Sequence, residues 1–147
     1  MLGKMVSLVF SMYSKDNLYF TSRSEDKFSK ELNGEILFFD PIKDNFADLC
    51  KIVNPNFVIN CIGAIKPTIT NKKESINNAI SINSLFPLEI SKTAVDLEFN
   101  YIQIGTDCVF SGSKGNYSEL SMTDATDVYG KTKIVGEVTS ANKALIR

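Results

Sequence analysis

A nearly continuous apolar run over Phe57–Gly63 constrains the fold of this chain more than any other feature. Its sequence, FVINCIG, lacks the alternation of apolar and polar residues that marks a strand with one face in water. The run therefore predicts a strand covered on both faces, as in parallel sheets that carry helices on each side. A second strand-like run covers Tyr101 to Phe110. Together the two runs favour an α/β architecture.

The other patterns alternate between helix and strand. The first part of the chain predicts a helix over Lys4 to Met12 and strands over Leu18 to Thr21 and Glu35 to Phe39. A helix then runs from a cap at Asp44 or Asn45 through Phe46 to Val53, and a longer helix covers Glu74 to about Glu98, interrupted or bent near Pro87. The last elements are a helix from Val128 that carries Ile134, Val135 and Val138, and a strand from Ala144. This order predicts a doubly wound parallel sheet of the Rossmann type, in one domain over residues 1–147. No strand pattern precedes the first helix, so we expect the first strand of that sheet to be missing.

Composition excludes several classes of function. A formal net charge of -1, with lysines scattered over 147 residues, provides no basic surface for nucleic acid. Three cysteines without C-x-x-C spacing support neither a disulfide framework nor a zinc site, and the absence of histidine excludes imidazole-based triads. No apolar run reaches the length of a membrane span, and no signal peptide is recognised. We therefore expect a cytoplasmic protein whose acid and base groups are Tyr, Lys, Asp or Glu.

Two segments carry residues suited to carbonyl reduction. Thr106 and Asp107 follow a predicted strand, and Tyr129 and Lys133 are spaced i and i+4 at the start of a predicted helix. Ligands of open α/β sheets bind beyond the carboxyl ends of the strands, where Thr106 and Asp107 lie. A Tyr followed four residues later by Lys is more often an exposed helical pair than a site. The conjunction with the strand end is much more specific and favours a proton-donating site.

The chain resembles the extended short-chain dehydrogenase/reductase superfamily, and most closely the branch of dTDP-4-dehydrorhamnose reductase and its sugar-nucleotide relatives. The resemblance covers nearly all of the chain and rests on five pieces: 56–63, Ile82-Asn83 with Pro87, 106–112, 115–119, and 129–133 with Gly136-Glu137. It implies hydride transfer from a reduced nicotinamide to the keto group of a nucleotide-linked 4-keto sugar.

The resemblance also implies a role for each site residue. Tyr129 would protonate the substrate oxygen, Lys133 would support it and bind the nicotinamide ribose, and Thr106 would hydrogen-bond the substrate carbonyl. Asp107 is expected at the substrate as well. Related dehydratases carry an Asp-Glu pair after the threonine, whereas Cys108 follows Asp107 here, so dehydration is not expected. Thr106 could also be only a β-branched strand residue.

For the cofactor, the resemblance implies NADP(H), with NAD(H) as the alternative. Arg23 follows the second strand of the expected fold, where an arginine accommodates the 2′-phosphate of NADP; a merely solvated Arg23 is about equally expected. The other predicted cofactor residues are Gly3, Asp40, Pro41, Gly63, Ala64 and Ile65, with Tyr129 and Lys133. Gly3 is the tail of the family's glycine-rich turn. Asn60, Asn83 and Pro67 are more readily explained as structural.

Two alternatives stay open on the sequence. One is a non-catalytic or truncated member of the family that acts as a binding or regulatory subunit, and the other is a sugar-nucleotide epimerase. The length suggests a fragment of a larger enzyme without its C-terminal substrate domain, and residues 1–147 alone are expected to fold poorly and not to bind NADPH. The expected partner is a nucleotide sugar, and a homodimer of the parent protein is compatible with the resemblance.

Overall fold

The computed structural model describes residues 2–24, 32–137 and 142–147. Contacts divide the chain into two compact units, Met1–Asn45 and Phe46–Arg147. The single domain predicted over residues 1–147 stays a prediction, and each unit is described by itself.

The first unit contains one helix and a pair of parallel strands. Helix α1 spans Leu2–Tyr13, strand β1 spans Tyr19–Ser22 and strand β2 spans Glu35–Phe38. Tyr19 lies opposite Glu35 in the parallel register. All three elements were predicted, with strand ends that differ by a single residue. None of the residues of α1 is buried.

The second unit contains the remaining helices and a three-stranded parallel sheet in the order β3-β4-β5. Its elements are α2 (Phe46–Val53), β3 (Phe57–Asn60), α3 (Lys73–Ile80), α4 (Phe86–Asp96), β4 (Asn100–Ile104), α5 (Val128–Val135) and β5 (Lys143–Ile146). All strand pairs of this sheet are parallel, as in a doubly wound fold. Among the described residues, no strand precedes α1.

The core of the second unit lies between its sheet and helices. Phe46 of α2 meets Phe86 of α4 edge-to-face, with ring centroids 5.5 Å apart. The buried apolar side chains of this unit are Phe46, Cys50, Ala79, Phe86, Ile90, Ala94, Phe99, Tyr101 and Val109. The Cys50 thiol, as expected for a reduced and buried cysteine, has its pKa raised to about 11, chiefly by burial and further by Glu89.

Two strand predictions were partly wrong, one on burial and one on length. Strand β3 is less covered than expected: Phe57 is 53% exposed, and β3 is one of the two edge strands of the described sheet. The run predicted as a strand to Phe110 ends at Ile104, and Asp107–Val109 forms a 3-10 turn instead. The Thr106 side chain accepts a hydrogen bond from the Cys108 N–H at 3.2 Å, which starts that turn.

The predicted long helix is interrupted close to Pro87, where the sequence predicted it. A π-helical segment, Ser81–Leu85, joins α3 to α4, and Pro87 lies in the first turn of α4, where its missing N–H is tolerated. Because residue 87 has no N–H, the Asn83 carbonyl cannot accept the usual α-helical bond from it. The Asn83 carbonyl oxygen lies instead against Gly136, at the end of α5.

Two helix starts have identified hydrogen-bond partners. The Asp44 carboxylate accepts from the Asp40 N–H, and the first N–H of α2, at Phe46, donates to Glu89 Oε1 of α4 at 3.0 Å. The cap of α2 at Asp44 or Asn45 stays a prediction. Helix α5 begins at Val128 as predicted, with Asp127 as its N-cap. Val138, predicted on the apolar stripe of this helix, lies outside the described residues.

Candidate active site

The three predicted catalytic residues lie in the second unit, at the carboxyl end of β4 and on α5. Thr106 is half-buried just beyond β4, and its hydroxyl lies 3.4 Å from Asp107 Oδ1. Tyr129 is half-buried in the first turn of α5, and Lys133 follows one turn later with 7% of its surface exposed. Helix α5 packs directly on the turn Asp107–Val109. The fold thus brings the two predicted segments together.

Gly130 allows α5 to approach this turn. A Cβ at Gly130 would lie 2.4 Å from the Ala125 Cβ and 2.5 Å from the Cys108 carbonyl oxygen, closer than side chains tolerate. Gly136 does the same at the other end of α5, where a Cβ would lie 2.1 Å from the Asn83 carbonyl oxygen. The two glycines therefore set the position of the helix that carries Tyr129 and Lys133.

Lys133 is held at the carboxyl end of β4. Its Nζ donates to the Ile104 carbonyl oxygen at 2.8 Å, and the Gln103 amide donates to the same oxygen at 3.1 Å. Burial lowers the pKa of Lys133, and the Glu137 carboxylate partly offsets that effect. The Ile104 oxygen uses one of the three N–H donors of the ammonium. The remaining donors suit the ribose and phenol contacts that the resemblance implies.

Asn83 joins the predicted cofactor turn to α5. Its side chain is 2% exposed, accepts from the Ala64 N–H at 2.9 Å, and donates to the Ala64 carbonyl at 3.0 Å and to Thr132 Oγ1 at 3.1 Å. Asn83 therefore holds both backbone polar groups of Ala64 in this turn. The structure supports the structural interpretation of Asn83 made from the sequence. Asn60 is similarly structural, since its Nδ2 donates to Gln103 Oε1 at 2.9 Å.

Sequence reasoning missed Lys66 and Asp127. Lys66 Nζ lies 2.9 Å from Asp127 Oδ2 and 5.8 Å from the centroid of the Tyr129 ring. Asp127 Oδ1 accepts from the Gly130 N–H at 2.7 Å, which lowers the pKa of Asp127, with a further contribution from Lys66. Asp127 was recognisable as an N-cap residue, three positions before Gly130. Lys66 carried no signal, because it lies 63 positions before Tyr129 in the sequence.

The loop after Asp107 forms an open pocket beside the site. Asp107, Cys108, Phe110, Ser111, Gly112 and Tyr117 line it. Phe110 and Tyr117 stack with centroids 4.6 Å apart, and the Ser111 hydroxyl donates to Asp124 Oδ2 at 2.8 Å. A hydrogen bond with Ser111 lowers the pKa of Tyr117. This pocket adjoins the predicted substrate residue Asp107, which is exposed.

The remaining predicted cofactor residues of the first unit lie near strand or helix ends. Gly3 is in the first turn of α1, Arg23 is exposed directly after β1, and Pro41 is half-buried after β2. Asp40 forms a local turn, in which its Oδ1 accepts from the Ile42 N–H at 3.0 Å. In the second unit, Gly63 and Ile65 are exposed. Cofactor binding by these residues stays a prediction.

The part of the chain that the structure describes contains no cluster of three or more metal-ligating side chains. None of its helices combines the length and apolar character that crossing a bilayer requires.

The sequence profile of the family described as "RmlD substrate binding domain" matches residues 41–146. The chain belongs to this family. The match includes Thr106, Asp107, Tyr129 and Lys133 and confirms the resemblance stated from the motifs.

Solved structures share the fold of this chain. The chain superposes on a hypothetical dTDP-4-dehydrorhamnose reductase from Sulfolobus tokodaii with a TM-score of 0.79 and 19% identity, over 97% of this chain and 50% of that one. A dTDP-4-dehydrorhamnose reductase from Bacillus anthracis, solved in complex with NADP, gives a TM-score of 0.62 and 20% identity over 84% of this chain and 48% of that one. These likenesses confirm the predicted Rossmann-type fold class.

A curated relative is methionine adenosyltransferase 2 subunit beta from Xenopus laevis. It is 29% identical over 83 residues, which are 56% of this chain and 24% of that protein. The chain thus spans about half the length of the two solved reductase structures. Its match to methionine adenosyltransferase 2 subunit beta spans about a quarter of that protein.

Proposed function

We propose that this chain is part of a sugar-nucleotide oxidoreductase that reduces the keto group of a nucleotide-linked 4-keto sugar with NADPH. The observation that carries the proposal is the packing of α5 on the turn after β4. It places Tyr129 and the buried Lys133 at the strand end where Thr106 lies. Family membership supports the same class of reaction.

The residues of the second unit fit a nicotinamide cofactor. The buried ammonium of Lys133 suits ribose hydroxyls, and the turn Gly63 to Ile65 is held in place by Asn83. When bound, the reduced nicotinamide supplies the hydride for the keto carbon. Tyr129 donates its phenolic proton to the keto oxygen, so that the product is an alcohol. Thr106 orients that oxygen by donating its hydroxyl hydrogen, and Lys133 stabilises the phenolate that remains on Tyr129.

For cofactor choice, we propose NADPH over NADH because Arg23 follows β1 where an acidic residue would select NAD. In the full-length protein, Arg23→Ala should lower the ratio of kcat/KM for NADPH to that for NADH. An unchanged ratio would remove Arg23 from the cofactor site.

The proposed reaction is tested with Tyr129→Phe in the full-length protein. Loss of the phenolic proton should lower kcat for reduction of a dTDP-4-keto-6-deoxy sugar by roughly 10² to 10⁴-fold while the Kd of NADPH barely changes. Tyr13→Phe is the matched control, because Tyr13 is 77% exposed on α1 and should retain full turnover. Near-normal turnover of Tyr129→Phe would refute the assigned role. Stoichiometric consumption of NADPH distinguishes a reductase from an epimerase, which consumes none in net.

A second candidate function is that of a non-catalytic subunit. It is favoured by the match to methionine adenosyltransferase 2 subunit beta, a protein named as a subunit of another enzyme. This candidate predicts no turnover by the wild-type protein with any of a panel of dTDP- and UDP-linked keto sugars. Measured reduction of one of them would exclude it.

A further inference from the structure

The Lys66–Asp127 pair connects the turn after β3 to the first turn of α5. Both Asp127 carboxylate oxygens are engaged: Oδ1 accepts from the Gly130 N–H at 2.7 Å and Oδ2 lies 2.9 Å from Lys66 Nζ. The helix cap and the ion pair therefore fix the Asp127 carboxylate in one orientation. Each side chain is about half exposed, at 51% for Lys66 and 49% for Asp127, so the pair contributes little to stability by itself.

The same pair places a positive charge next to the Tyr129 ring and a negative charge beside that cation. The Lys66 ammonium lies over the Tyr129 ring, 5.8 Å from its centroid, where it interacts favourably with the ring face and with a developing phenolate. Three other titratable groups lie near this arrangement: Lys133, one helical turn beyond Tyr129; the Cys108 thiol, which interacts with Lys66; and Lys131, whose charge acts on Asp127. Asp127 is the one carboxylate that the described contacts place against Lys66.

We propose that Lys66 and Asp127 are positioning residues with opposite effects on Tyr129: Lys66 promotes ionisation of its phenol, and Asp127 restrains Lys66 and opposes that ionisation. This inference rests on the proposed role of Tyr129 as proton donor. It adds a second cation, from a different element, to the support that Lys133 gives. The pair thereby tunes the pH at which the phenol is poised to donate its proton.

The test replaces Tyr129 by 3-fluorotyrosine in the full chain and follows its ¹⁹F resonance as a function of pH. Lys66→Met should raise the midpoint of the transition by about half a pH unit, as expected for a unit charge roughly 6 Å away in a partly solvated site. Asp127→Asn should lower it by a similar amount, because the amide oxygen can still accept from Gly130 while the negative charge is lost. Lys66→Arg should stay close to the wild-type midpoint.

Lys92→Met is the matched control, because it also removes an exposed lysine from an ion pair, with Asp96 at 2.6 Å on α4. It should leave the midpoint unchanged. Midpoints that move in the same direction for Lys66→Met and Asp127→Asn, or that do not move, would overturn the proposal and leave only a structural link.

This outcome is independent of the test of the proposed function. Turnover unaffected by Tyr129→Phe would refute Tyr129 as the acid whatever the ¹⁹F titration shows. An unmoved ¹⁹F midpoint together with a catalytic defect in Tyr129→Phe would refute only the role of the Lys66–Asp127 pair.

Discussion

Replacement of Gly130 by alanine separates local helix propensity from tertiary packing, because the two predict opposite signs. Gly130 is the third residue of α5 and does not have a positive φ. In an isolated helix, Gly→Ala stabilises by about 1 kcal/mol. In this structure, the new Cβ would lie 2.4 Å from the Ala125 Cβ and 2.5 Å from the Cys108 carbonyl oxygen. One of these two contacts is with backbone, which cannot move aside as a flexible side chain can.

We expect Gly130→Ala to lower the free energy of unfolding by about 2 kcal/mol. Overpacking of a well-packed site costs about 1–3 kcal/mol, and two contacts this short place the cost at or above the upper end of that range. The gain of about 1 kcal/mol from helix propensity offsets part of it. The displaced first turn of α5 also carries Tyr129, so turnover of the full-length protein should fall together with stability.

The assay is urea denaturation followed by circular dichroism at 222 nm. Asn78→Ala, at an exposed position of α3, is the control for helix propensity and should be neutral or slightly stabilising. Adding Ala125→Gly to Gly130→Ala removes the shorter contact and should recover part of the lost stability. A Gly130→Ala protein as stable as the wild type would refute the claim that Gly130 is required by close packing.

Two further predictions concern a buried amide, Asn83, and a half-buried ammonium, Lys143. Asn83→Ala removes the partners of the Ala64 N–H and carbonyl and should cost about 2–4 kcal/mol in urea denaturation; a loss below about 1 kcal/mol would show that water replaces the side chain. Burial lowers the pKa of Lys143 from 10.5 to about 8, so between these pH values the unfolded chain binds the additional proton and stability should rise with pH. The free energy of unfolding, measured from pH 8 to 10, should therefore rise more steeply in the wild type than in Lys143→Met. Equal slopes would contradict the assigned burial of the ammonium.

Hydrophobic periodicity determined where helices and strands occur, because each element must present an apolar face to neighbours whatever those neighbours are. Helix α1 and strands β1 and β2 follow their patterns to within a residue or two, and α5 begins at Val128 where the sequence places it. Periodicity did not reveal the π-helical segment before Pro87, since that segment depends on which backbone groups find partners. It also did not end β4 at Ile104, because Cys108, Val109 and Phe110 are apolar although the segment Asp107–Val109 forms a turn.

For the site, the residue types and spacing of Thr106, Tyr129 and Lys133 were sufficient to predict carbonyl chemistry at a strand end. Helical geometry alone puts residues i and i+4 on one face. The partners of these residues required the tertiary structure. Lys66 reaches Tyr129, Asn83 reaches Ala64, and Lys133 reaches the Ile104 carbonyl across 63, 19 and 29 positions of sequence. The closeness of α5 to its neighbours depends on Gly130 and Gly136, whose requirement is visible only when the atoms that a Cβ would strike are in place. Local sequence thus determined the elements and the residues predicted to react, whereas packing between distant segments decided how those residues are held and charged.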